Sequence, residues 1–262
     1  MNASALPASL QLDQPHVERY LRRLWLARLI PAVLHDLEHL PRGGVLLVGN
    51  HGPLALDTGL LLHAFHRDTG QFIRGLSDRM LFTNPIGRQM VRNVGAVKGT
   101  RENARALLAH GELVLVYPGG ARETTRDPAH RYQLDWEGRF GFARIALECQ
   151  VPIVPVACVG ADDLFRQLLD RNVVRASPLG KLATQLIKPD YIPPVYWPKL
   201  RATQFHYYFG QPIKPLPVAG LTEPELESAV ESHWQRVKLA LEERLLHGLT
   251  LRRERTQQKV RR

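Results

Sequence analysis

The run Val45-Leu46-Leu47-Val48-Gly49 is apolar at every position and lies between the turn residues Pro41-Arg42-Gly43-Gly44 and Asn50-His51-Gly52. It has the length of a strand rather than of a helix. A strand without polar alternation needs both faces covered, as in a parallel sheet with helices on either side. The same punctuation recurs downstream. Helical patterns at 58–66, 101–110 and 140–150 take turns with strand patterns at 71–75, 113–117 and 151–159. This alternation predicts an α/β fold, a mostly parallel central sheet flanked by helices.

The two ends of the chain read differently. Val17, Leu21, Leu24, Trp25, Leu29 and Val33 recur at helical spacing, with Arg19, Arg22, Arg23 and Arg28 over much of the remaining surface. They predict a basic amphipathic helix over 17–34, kinked at Pro31. Residues 176–217 are rich in proline and predict irregular structure with a late strand at 205–209. Thr222 and Glu225 form a capping box for a terminal helix whose stripe is Leu226, Val230, Trp234, Val237, Leu241 and Leu245, and Gly248 would end it. At 262 residues the chain can bury a core without metals or disulfides. We read one domain, made of an N-terminal amphipathic helical segment (1–43), a core (44–215) and a C-terminal helix with a basic tail (216–262). Cys149 and Cys158 are expected as free thiols.

Charge narrows the partners. The 35 Lys and Arg exceed the 25 Asp and Glu, for a net charge of +10, and six of the cations against one Glu fall within residues 252–262. A polyanion is the expected partner. An anionic membrane surface and nucleic acid both meet that condition, and no motif favours nucleic acid. The longest stretch without Asp, Glu, Lys or Arg is residues 43–56, short of the ~18 apolar residues a spanning helix needs. The N-terminal residues lack the charged and apolar regions of a secretory signal. The expectation is a cytoplasmic protein, peripheral at the inner face of the membrane, bound through the N-terminal helix and the tail.

Three segments carry chemistry. In GNHGPLALDTG a buried strand runs into Asn50, His51 and Gly52, with Asp57 on the incoming helix. Ligands collect at the carboxyl ends of such strands, and a carboxylate accepting from one imidazole nitrogen leaves the other as a base for a hydroxyl. In VLVYPGGARET a second strand ends in Pro118, Gly119 and Gly120, followed by Arg122 and Glu123. Paired glycines let backbone N–H groups face a ligand, and Arg is a forked donor to phosphate or carboxylate. GAVKGTREN places Lys98 and Arg101 near Gly95 and Gly99 as a small cationic loop. By contrast, the pairs His35/His39 and His63/His66 have no acidic or Cys cluster to complete a metal site. Cys158 lies inside an apolar strand, away from the strand end where a nucleophile would sit. Tyr191, Tyr196 and Trp197 read as lining for a core or an acyl groove.

Together these segments resemble the glycerolipid acyltransferase superfamily, in a branch similar to diacylglycerol acyltransferases. His51 and Asp57 fall at its catalytic pair, with Asn50 before it. Gly95 and Arg101 match its acceptor-binding motif, residues 118–123 its Pro-Glu-Gly block, and VPIVPVA at 151–157 its fourth motif; the likeness covers about 44–213. Two departures stand out. Five residues separate His51 from Asp57 where the family commonly has four, and Gly119 replaces the usual glutamate. We expect the Gly52-Pro53 turn to absorb the first and Glu123 to stand in for the second.

The resemblance implies a glycerol-phosphate acyltransferase-like fold and an O-acyltransferase without a cofactor. Its donor is an acyl thioester, acyl-CoA or acyl carrier protein, and its acceptor a lipid alcohol such as a lysophospholipid or diacylglycerol. His51 and Asp57 are the implied catalytic residues. Asn50, Lys98, Arg101, Gly119, Gly120, Arg122 and Glu123 are the implied substrate-binding residues, with the 119–120 amides facing an oxyanion and Arg101 and Arg122 a phosphate. The competing readings are an acyl thioesterase on the same fold and a non-enzymatic basic protein that binds membrane or nucleic acid.

Overall fold

The computed structural model describes residues 5–169, 171–186, 192, 195–198 and 204–260. Its elements are α1 (Gln14–Arg22), α2 (Leu26–Leu29), β1 (Ala32–His35), β2 (Val45–Gly49), α3 (Leu56–Thr69), β3 (Ile73–Ser77), α4 (Pro85–Asn93), β4 (Val97–Lys98), α5 (Arg101–Ala109), β5 (Leu113–Val116), α6 (Ala121–Thr124), α7 (Gly141–Cys149), β6 (Ile153–Val159), β7 (Phe165–Leu169), α8 (Arg171–Ala176), α9 (Pro178–Leu186), β8 (Val195–Pro198), β9 (Phe205–Phe209) and α10 (Glu223–Val260). Seven strands form one sheet in the order β1-β9-β6-β2-β5-β3-β4. It is mostly parallel. The exception is the antiparallel β6–β9 pairing, so β1 and β9 run against the other five.

The continuous apolar runs are explained by the two layers. Val45 and Leu47 of β2 join Leu60, Leu61 and Phe65 of α3 on one face. Leu46 and Val48 join Leu107 of α5, Ala146 of α7 and Val237 of α10 on the other. All five β2 residues are buried. The carboxyl ends of β2, β3, β4, β5 and β6 therefore share one edge, where the amino ends of β1 and β9 also lie.

Three expectations need correction. The single helix over 17–34 is instead α1, α2 and β1. Asp13 caps α1 by accepting from the His16 N–H. Pro31 blocks helix continuation and pushes the preceding residue towards extended geometry, and Ile30 sits at φ −124°, ψ 95°. The open edge of β9 then captures the next residues, beginning with the Phe205 N–H donating to the Pro31 carbonyl. The N-terminal segment thus contributes a strand to the sheet as well as helices.

Gly248 does not end the terminal helix, which continues to Val260. A side chain at 248 would lie 2.6 Å from the Tyr208 ring and 2.8 Å from Val159, so the glycine marks where the helix crosses the sheet closely. Part of 176–217 is also regular. α9 is helical, and β8 pairs with β7 in a separate two-stranded antiparallel ribbon. Cys149 and Cys158 are free, and no helix among the described residues is long and apolar enough to cross a membrane.

Candidate active site

At the end of β2 the chain leaves the sheet, and Asn50 fixes the point of departure. Its amide donates to the Cys158 carbonyl at 3.0 Å and accepts from the Cys158 N–H at 2.7 Å, tying β2 to β6. His51 then turns out of the strand. The turn to α3 contains Leu54 and Ala55, both left-handed at φ 58°, a conformation that is costly for residues with a Cβ. Two successive left-handed residues turn the chain back there, so that Asp57 meets His51 although five residues separate them. Gly52 has an ordinary extended φ of −85°; it is needed because a side chain at 52 would lie 2.4 Å from the Ala161 methyl.

This turn brings Asp57 into the first turn of α3, where the helix dipole favours a carboxylate. His51 Nδ1 lies 3.0 and 3.1 Å from the two Asp57 carboxylate oxygens. With Asp57 accepting from Nδ1–H, Nε2 is the nitrogen that can take a proton. The Tyr117 ring stacks on the imidazole with centroids 4.0 Å apart and planes within 2°, and the Tyr207 hydroxyl donates to the Asp57 carbonyl at 2.6 Å.

The His51 peptide is held from below by a buried ion pair. Glu123 accepts from the His51 N–H at 2.7 Å, and Arg126 donates to the His51 carbonyl. The Arg126 and Glu123 side chains are 3.6 Å apart, and Asp162 lies 3.4 Å from Arg126 on its other side. Glu123 further accepts from the Trp136 indole N–H and the Asp135 N–H. Burial pushes the Glu123 carboxyl upward in pKa, with Arg126 and the His51 N–H pulling the other way. Burial raises Asp162 in the same manner, again opposed by Arg126.

Gly119 and Glu123 fit as a pair. A side chain at 119 would start 2.1 Å from the Glu123 carboxyl carbon, so Glu123 reaches back into the space that a residue at 119 would occupy. The Gly120 N–H donates to the Tyr117 carbonyl, which engages one of the two amides expected at an oxyanion. Arg122 lies 3.4 Å from Asp135. Lys98 and Arg101 are exposed at the end of β4 and the start of α5. They share the edge with His51 but stand three strand positions away, about 14 Å at the usual strand spacing. Asn50 is 1% exposed with both ends of its amide engaged, so its place is structural rather than on a substrate surface. Trp197 is exposed rather than lining a groove; Tyr191 lies outside the described residues, as does the side chain of Tyr196.

No group of three or more His, Cys, Asp or Glu suited to a metal ion occurs among the described residues. His63 and His66 each hydrogen-bond a backbone carbonyl, His35 pairs with His206, and His39 with the Phe209 carbonyl.

Residues 32–159 match the Acyltransferase family model. The chain carries an acyltransferase domain over these residues. It is 31% identical over 207 residues to phytyl ester synthase 2, chloroplastic, of Arabidopsis thaliana, an alignment covering 70% of this chain and 29% of that protein. It is also 29% identical over 135 residues to the mouse DGAT1/2-independent enzyme synthesizing storage lipids, covering 52% of this chain and 41% of that one. The chain thus spans well under half the length of these relatives. Its fold is that of the 1-acyl-sn-glycerophosphate acyltransferase PlsC from Thermotoga maritima, with a TM-score of 0.51 at 20% identity over 87% of this chain and 78% of that one.

Sequence reading did not single out Arg126, Asp162, Tyr117 or Trp136. For Arg126 a signal existed, since it follows Glu123 at i+3, two residues beyond VLVYPGGARET, a spacing at which side chains can meet. Asp162 gave none, because only the packing of β6 beside β2 brings it under the loop.

Proposed function

We propose that this acyltransferase-domain protein moves a fatty acyl group from an acyl thioester, acyl-CoA or acyl carrier protein, to the hydroxyl of a lipid alcohol such as a lysophospholipid or diacylglycerol. The observation that carries the reading is the His51–Asp57 pair at a parallel strand end, with Nε2 left to work as a base. In this mechanism Nε2 takes the acceptor's hydroxyl proton as its oxygen bonds to the thioester carbonyl carbon. Asp57 orients the ring and stabilises the resulting imidazolium. The tetrahedral intermediate collapses by breaking the carbon–sulfur bond, and the leaving thiolate recovers the proton from His51. No acyl-enzyme forms and no cofactor takes part.

Arg122 beside the 118–120 turn, and Lys98 and Arg101 further along the edge, supply cations for a phosphate of donor or acceptor. Turnover on lipid calls for a peripheral position on an anionic membrane, which we place at the cytoplasmic, inner face. The names of the relatives, an ester synthase and a storage-lipid enzyme, support an alcohol acceptor of lipid character.

The test is incubation of the purified protein with labelled acyl-CoA and a panel of lipid alcohols, read by mass spectrometry. A new ester that disappears with His51→Ala is expected. Release of free fatty acid alone would make the protein a thioesterase, and near wild-type turnover by folded His51→Ala would overturn the mechanism.

A further inference from the structure

Between β6 and β9 the chain makes an excursion, residues 161–204, that leaves and re-enters the sheet at the edge carrying His51. Val159 pairs with His206 across the antiparallel β6–β9 junction. At Gly160 there is no room for a side chain, because the Gln204 carbonyl would lie 2.5 Å from it. Ala161 packs on Gly52, the residue after His51. The root of the excursion is buried through Leu164 and Phe165. Beyond the root the pattern inverts.

Leu168, Leu169, Val173, Leu179, Leu182 and Trp197 are all exposed, Leu179 to 80% and Trp197 to 64%. Leu179 and Leu182 share one face of α9, and α9 is pressed so closely on α8 that a side chain at Gly180 would strike the Val174 carbonyl. Clustered large apolar side chains in solvent mark an interaction surface. Over residues 165–201 the sequence has seven Lys and Arg against two Asp and Glu. On the neighbouring side of the same edge, Trp25 at the N-cap of α2 and Leu29 at its end are exposed just ahead of Pro31, whose carbonyl accepts from the Phe205 N–H.

We propose that the exposed apolar side chains of α8, α9 and the β7–β8 ribbon seat the protein on an anionic lipid bilayer, entering the head-group region and presenting the His51 edge to acceptors held there. The exposed side chains are apolar and the sequence of the same segment is cationic, the combination that binds an anionic interface, and Trp is a residue that favours that depth. A second copy of this chain would set like charge against like. The role differs from that expected of the basic tail. There Arg252 is ion-paired with Asp163, and Arg255 contacts His206. The inference rests on a lipid acceptor, but its test does not require turnover.

The test compares wild type with the double variant Leu179→Glu/Leu182→Glu in the full chain, after circular dichroism and sedimentation velocity have established fold and association state. Co-sedimentation uses phosphatidylcholine vesicles with and without phosphatidylserine. Wild type should bind the anionic vesicles, and the variant about tenfold more weakly. Turnover of a bilayer-held alcohol should fall in parallel, while turnover of a water-soluble short-chain alcohol is unchanged. Should the variant not fold, bromine-labelled lipid should quench wild-type fluorescence more than that of Trp197→Phe. If wild type binds, the variant does not, and neither makes an ester, docking stands and the proposed function falls. Equal vesicle binding by variant and wild type, equal quenching of wild type and Trp197→Phe, or a wild-type dimer that the double variant dissolves would overturn the assignment.

Discussion

Around His51 the peptide N–H, the peptide carbonyl and Nδ1 each have a partner inside the protein, in Glu123, Arg126 and Asp57. In the excursion anchored beside it at Ala161, Leu179, Leu182 and Trp197 turn carbon to solvent. The two regions share one edge of one sheet and are built for opposite ends. A base must be held to a fraction of an ångström, and buried, mutually satisfied polar groups do that. The excursion leaves apolar area unburied, which is what the proposed lipid contact requires. Positioning is concentrated in a few polar groups under the loop, so single substitutions should separate chemistry from docking.

The largest effect is expected at the pair itself. His51→Ala should remove acyl transfer by the ~10²- to 10⁴-fold typical of a general base with little loss of stability, and Asp57→Asn should be comparably severe in kcat. Steady-state kinetics of folded variants check this, and retention of turnover by either would break the contrast between loop and excursion.

Next in size is Arg126→Ala. It leaves Glu123 and Asp162 buried without their cation, a change that typically costs about 3–5 kcal/mol. Denaturant unfolding should show the loss, and kcat should fall more than KM because the His51 carbonyl is released. A variant as stable as wild type would mean that the ion pair does not hold the loop.

A buried polar group without partners sharpens the same point. His233 on α10 is fully buried, and neither ring nitrogen has a hydrogen-bond partner among the described residues. Burial, with Arg236 nearby, pushes its pKa down to about 4 from the ordinary 6.5. The unfolded chain therefore binds the proton first. Its contribution to stability is complete above pH 6.5 and declines as the pH falls towards 4, by at most about 1.4 kcal/mol per pH unit. His233→Leu should flatten that part of the stability curve, measured by chemical denaturation across the range, while leaving vesicle binding unchanged.

The smallest effect is at the strained turn. Leu54→Gly relieves a left-handed residue at φ 58° and should stabilise the fold by about 0.5–1 kcal/mol, read as a rise in the denaturation midpoint. Activity should drop if that strain keeps Asp57 against His51, and a gain in both would show that the turn is passive.

How much of this was legible in the sequence follows from the range of each interaction. The buried strands β2, β5 and β6 announced themselves as apolar runs, because a strand covered on both faces has no polar alternation to hide it, and β9 did so as a β-prone aromatic stretch. β1 did not, since Val33 also fits the period of the preceding helix and only the open edge of β9 decides its conformation. Gly248 carried the usual signature of a helix end, yet its real constraint is the Tyr208 ring, forty residues away in sequence.

The chain's own order of residues determined the layered α/β fold, the catalytic histidine and aspartate as candidates, and the cationic excess, because these depend on local period and composition. Only the tertiary structure decided that Glu123, Arg126 and Asp162 close under His51, that Lys98 and Arg101 stand three strands off, and that an apolar excursion hangs at the same edge. The physical reason is separation along the chain. Hydrogen bonds and ion pairs reach about 3–4 Å, and which distant residues come within that reach is set by strand order and by how the layers pack over it.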